Sequence, residues 1–119
     1  MDKQVRVITT RPAGKRIIVR FAGEAIADTT RALELFEETH EPVFYVPKAD
    51  VRMDLLIASD RRTHCPWKGD ARYWSIRAGG REAKDAVWAY DSPLASVAPI
   101  AGYVAFYSDR VDTLETVKA

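Results

Sequence analysis

Ala71-Arg72-Tyr73-Trp74-Ser75-Ile76-Arg77 and Ala83-Lys84-Asp85-Ala86-Val87-Trp88-Ala89-Tyr90 flank the pair Gly79-Gly80. Two runs rich in aromatic and β-branched residues around a Gly-Gly turn specify an antiparallel hairpin, because glycine enters the left-handed turn conformations at little cost. Side chains alternate along a strand, so Tyr73 and Trp74 face opposite ways. One of the two must leave the main core. Its aromatic surface either packs against neighbouring strands or lines a pocket in which Tyr hydroxyls and indole N–H groups serve as polar handles.

Working outward, Ile17-Ile18-Val19-Arg20-Phe21 and Ala25-Ile26-Ala27-Asp28 form a second hairpin around Gly23. Val43-Phe44-Tyr45-Val46 is a strand ending before Pro47, and Tyr103 to Tyr107 is another beyond the loop that holds Pro93 and Pro99. Residues 31–38 read two ways: Ala32, Leu35 and Phe36 fit a helical face, while Leu33 and Leu35 alternating with acids fit a strand. Asp50 is positioned to cap a short helix over Val51 to Ala58, with Val51, Leu55 and Ala58 on one side. Residues 1–15 read as an arm or edge strand, and 16–115 as one β-rich domain. The fold class expected is mainly β, or β-rich α+β, with one short helix near residues 50–58.

The chain has 119 residues, 47% hydrophobic and 29% charged, which is enough for one folded core and far from the composition of disorder. Its 18 Lys plus Arg nearly balance 17 Asp plus Glu, so no global field draws it to nucleic acid or an anionic membrane. Cys65 alone cannot form an intrachain disulfide, and with only His40 and His64 beside it the usual structural zinc set is lacking. Neither metal nor cofactor is expected. The N-terminus lacks an apolar signal core, and no apolar run approaches the roughly 18 residues that span a bilayer. A cytoplasmic protein is expected.

Special chemistry is densest at Thr63-His64-Cys65-Pro66-Trp67-Lys68-Gly69, where Pro and Gly force a turn. A residue before proline is extended, which sends His64 and Cys65 to opposite sides and makes His64 a poor base for the thiol. Lys68, across the turn, can approach the sulfur and favour thiolate. Cys65 is thus either a small buried thiol or a candidate nucleophile. Arg52, Arg61, Arg62 and Arg72 either join Lys68 on an anion or pair with the interleaved Asp50, Asp54, Asp60 and Asp70.

The ordered elements Gly23 to Thr29, Tyr45-Val46-Pro47, Asp50-Val51-Arg52-Met53, Thr63 to Gly69, Ala86 to Tyr90 and Ile100 to Tyr107 resemble one family. It is the domain of unknown function 427 family, found in bacteria and plants and labelled nucleotidyltransferase-like. The resemblance spans roughly residues 15 to 112 and implies a β-tent-like arrangement, two antiparallel sheets pinned at one end, similar to Yippee and cereblon-type domains. Those relatives hold zinc with paired Cys-x-x-Cys motifs, which this chain lacks. Nucleotidyl transfer needs clustered carboxylates for magnesium and a phosphate cradle. Asp54 and Asp60 stand apart, and no Gly-rich phosphate loop is present.

The function expected is a small-ligand-binding module for an anionic or amide-bearing molecule, with its pocket beside the Cys65–Gly69 turn. Lys68 would supply charge, Thr63 and Tyr45 hydrogen bonds, Trp88 with Tyr73 or Tyr90 stacking surface, and Cys65 a contact. An enzyme with Cys65 as nucleophile uses the same turn. An interaction adaptor would instead anchor on exposed Trp67 or Trp74.

Overall fold

The computed structural model describes residues 7–38 and 40–118. Residues 1–6 of the expected N-terminal arm lie outside them. Ten strands are described: β1 Ile8–Pro12, β2 Lys15–Phe21, β3 Glu24–Thr29, β4 Leu33–Glu37, β5 Val43–Pro47, β6 Leu56–Cys65, β7 Gly69–Ala78, β8 Arg81–Tyr90, β9 Tyr103–Phe106 and β10 Thr113–Lys118. They form a seven-stranded sheet in the order β1-β4-β5-β9-β8-β7-β6 and a three-stranded sheet in the order β10-β2-β3. Every pairing is antiparallel. The protein is mainly β, with two antiparallel sheets.

The β7–β8 hairpin turns through Gly79 and Gly80 at φ 56° and 75°, both in the left-handed region such a turn requires. A Cβ on Gly79 would lie 3.0 Å from the Ala22 carbonyl oxygen. Ala22 lies in the turn of the β2–β3 hairpin, so the tips of the two sheets meet there and only glycine fits.

Alternation divides the large sheet's side chains between two cores. On one face Trp74, Ile76, Val87, Val104 and Phe106 pack against Val19, Phe21 and Ile26 of the small sheet. On the other, Tyr45, Tyr73, Tyr90 and Leu35 gather with Val97 and Ile100. The last two come from a 3₁₀ segment, Ala95–Ile100, that covers part of this face. The division of Tyr73 from Trp74 is the one alternation demands.

Residues 31–38 resolve as strand: Leu33, Glu34 and Leu35 pair with Tyr45, Phe44 and Val43. The helix expected near residues 50–58 is corrected. Two 3₁₀ turns, Lys48–Asp50 and Met53–Leu55, stand there, and β6 begins at Leu56. Val51 is extended, at φ −119° and ψ 139°, because it bridges to Ala27 while Arg52 N–H donates to the Ile26 carbonyl. Tertiary pairing to β3 overrides the helical spacing of Val51, Leu55 and Ala58. Asp50 caps nothing through its side chain; its carboxylate instead accepts from Thr29 and Arg31.

Candidate functional site

Cys65 pairs with Gly69 at the end of the β6–β7 hairpin, leaving Pro66, Trp67 and Lys68 as its loop. Lys68 N–H donates to the Cys65 carbonyl at 3.2 Å, closing the turn. Gly69 lies at φ +115°, and a Cβ there would meet the Ser92 carbonyl oxygen at 3.3 Å. Leu94 N–H donates to the Lys68 carbonyl at 2.9 Å. The loop is thereby docked on the Ser92–Leu94 segment, and the Lys68 side chain is directed across the sheet.

Its ammonium reaches Glu37 Oε1 at 2.7 Å and lies 3.9 Å from Cys65 Sγ. Only 13% of the Lys68 side chain and 6% of Glu37's are exposed. This ion pair sits at a cavity of about 480 Å³ lined by Tyr45, Tyr73, Trp88, Tyr90 and Tyr107 as well as Cys65. Of the ligand-contact residues expected from sequence, Tyr45, Cys65, Lys68, Tyr73, Trp88 and Tyr90 are brought together there. Thr63 is not in the cavity lining, but its hydroxyl shares a 2.8 Å hydrogen bond with the Tyr73 hydroxyl.

The aromatic wall is ordered by its own contacts. Trp88 Nε1 donates to the Tyr45 hydroxyl at 3.2 Å, with the rings edge-on at 6.3 Å. Trp88 also lies 4.5 Å from the Tyr107 ring, tilted at 43°. Burial raises the Tyr45 phenol above its ordinary value, only partly opposed by the Trp88 hydrogen bond. Burial does the same to Tyr90, and to Tyr107, where the bond to Tyr73 adds to it. These phenols therefore stay neutral and keep their protons for donation. The Tyr90 hydroxyl has no hydrogen-bond partner among the described residues.

His64 faces away from the cavity, as extended geometry predicts, and its Nδ1 lies 2.7 Å from Asp70 Oδ1 on the exposed side. The arginines near the turn in sequence do not converge on Lys68. Arg52 pairs with Asp54 at 2.8 Å and Arg72 with Asp91 at 3.5 Å. Arg61 lies over the Tyr73 ring at 4.8 Å, and Arg62 donates to the Ser59 and Arg61 carbonyls. Among the described residues no group of three or more His, Cys, Asp or Glu side chains gathers as a metal site would need.

The expectation that Trp74 is exposed is corrected. Trp74 is 6% exposed, because its strand position faces the inter-sheet core; Arg72 lies 4.4 Å and Lys48 5.4 Å from its ring. Trp67 is partly buried and lines the cavity.

Two residues that the sequence reading left out of the site are central to it. Glu37 follows Leu33 and Leu35 at spacing two, so an acid stands on the inward face of a strand; that is the signal by which it was discoverable. Tyr107 joins through a contact with Trp88 that no local pattern encodes.

Among the described residues no helix is long and apolar enough to cross a membrane. No curated protein matches the chain. The chain belongs to the family described as a domain of unknown function (DUF427), which matches residues 9–117.

Proposed function

We propose that the protein is a small-molecule-binding module whose ligand carries a neutral amide, held between the Lys68–Glu37 pair and the Trp88–Tyr107 aromatic wall. The observation that carries this is the 2.7 Å ion pair, both partners largely buried, at an aromatic-lined cavity. An anionic ligand would have to share Lys68 with Glu37 and suffer its repulsion. An amide needs an acceptor for its N–H and a donor for its carbonyl, side by side. An ammonium has donors beyond the one facing Glu37, and a carboxylate oxygen accepts more than one hydrogen bond, so an amide can add to the pair beside the partners its members already have. A flat ring bearing the amide gains stacking area on Trp88.

The reading of Cys65 as a nucleophile rests on the 3.9 Å contact with Lys68. That ammonium is committed to Glu37, and His64 is turned to Asp70, so neither of them is arranged as a base for the thiol. Ligand contact is the better use of Cys65. A single thiol that is partly accessible suits a reducing cytoplasm, where we assign the protein.

Thermal-shift titration with δ-valerolactam, acetate and inorganic phosphate tests the reading, since a ligand that binds only the folded state raises its melting temperature. The lactam is expected to stabilise and the anions not. In the double variant Lys68→Met/Glu37→Leu the lactam shift should vanish while the unliganded protein remains folded. Stabilisation by the anions alone, or by none of the three, would refute it.

A further inference from the structure

Beside the first cavity lies a second of about 430 Å³, and Glu41, Val43, Trp88 and Tyr107 line both. Its remaining wall is mostly apolar: Pro42, Phe44, Phe106 and Leu114, with Ser108 and Asp109 as the other polar residues. Phe44 comes from β5, Phe106 from β9 and Leu114 from β10, so the second cavity lies where the two sheets adjoin. Charged lining residues are Glu41 and Asp109, both acidic. The nearby cations are engaged on ring faces: Lys15 lies 5.8 Å from the Phe44 ring and Arg110 lies 4.6 Å from that of Tyr107. Arg110 also donates to the Lys84 and Asp85 carbonyls.

We propose that the second cavity is a tail subsite of the same ligand, taking an uncharged hydrocarbon or aromatic extension that crosses Trp88 and Tyr107 from the amide-bearing head. This rests on the amide reading above. A bare lactam occupies only part of a 480 Å³ cavity, whereas specific sites enclose most of a ligand's surface. The shared Trp88–Tyr107 wall gives a continuous aromatic track from one cavity to the other. An anionic tail is rejected because it would face Glu41 and Asp109 with no unengaged cation in the lining. The ligand class is thus an amphipathic amide: a polar cyclic head with an apolar tail.

The experiment compares δ-valerolactam with three derivatives carrying, on a ring carbon remote from the amide, a butyl, a hexyl or a carboxyhexyl chain. Affinity is read by amide-resolved NMR titration. Each methylene fully buried adds up to about fourfold in affinity, so the hexyl derivative should bind at least tenfold more tightly than the bare lactam. Its additional shifts should fall on Phe44, Phe106 and Leu114. Phe44→Ala should remove most of that gain and leave the bare lactam's affinity unchanged. Leu114→Ala serves as a second variant should Phe44→Ala unfold. The carboxyhexyl chain should lose the gain. If the bare lactam binds and the chains add nothing, the tail subsite is overturned and the head reading stands. If no lactam binds, both are overturned. A carboxylate end that tightens binding overturns the assigned class.

Discussion

Replacing Glu37 with leucine removes the partner of an ammonium that is only 13% exposed. Taking away one member of a buried pair costs about 3–5 kcal/mol, because the remaining charge is left desolvated. Lys68 opens onto a cavity that water can enter, so the lower end applies, and Glu37→Leu should cost about 3 kcal/mol. For a domain of this size that is a fall of roughly 10–20 °C in melting temperature. Lys68→Met is the converse single change and should also lower stability, since it removes the largely buried cation that faces Glu37. The double variant Lys68→Met/Glu37→Leu leaves no charge behind and should return to within about 1 kcal/mol of the natural protein. Urea unfolding followed by tryptophan fluorescence measures all four proteins. Single substitutions that each cost under about 1 kcal/mol, and add in the double variant, would refute the reasoning. The pair would then be a solvated surface contact worth little, and the donor-acceptor argument for an amide would lose its basis.

Gly69→Ala places a Cβ at φ +115° and 3.3 Å from the Ser92 carbonyl oxygen; it should lower stability by about 1–3 kcal/mol in thermal melts, and no change would show that the loop is not held there. Ultraviolet difference titration should find that Tyr45 and Tyr90, both raised by burial, do not ionise with a free phenol's midpoint. Folding stability should decline above about pH 10, where the unfolded phenols ionise first, and ordinary titration of every tyrosine would contradict this. Asp50 is held below the usual carboxylate range by Arg31 and then Thr29, so its contribution is complete above about pH 3.9 and is lost as pH falls through its lower folded value. Asp50→Asn should therefore flatten part of the acid unfolding curve, and an unchanged curve would remove Asp50 from it.

Local turn chemistry made much of the fold legible. Gly79-Gly80 and Gly23 mark the turns of two hairpins, and the opposed Tyr73 and Trp74 required apolar surroundings on both faces of one sheet, which are present as two separate cores. β6 was illegible for physical reasons. It is an edge strand whose residues are largely exposed, and an irregularity between Ala58 and Arg62 breaks its register, so no period-two pattern survives. Across its start, Val51, Leu55 and Ala58 imitate a helix, although Ala58 already belongs to the strand.

The candidate site divides along the same line. Six ligand-contact residues expected from sequence line the cavity, because alternation and the Pro-Gly turn fix where their side chains point. The bonds that give the cavity its chemistry are long-range: Lys68 to Glu37 spans 31 positions and Trp88 to Tyr45 spans 43. They depend on strand order, in which β9 inserts between β5 and β8 and brings Tyr107, just beyond its end, against Trp88. No local propensity encodes that order. A lysine in a polar turn reads as a free cation until β4 is seen to set an inward acid opposite it. Of the two ligand chemistries expected from sequence, anionic or amide-bearing, the proposed reading keeps the amide because of that pairing.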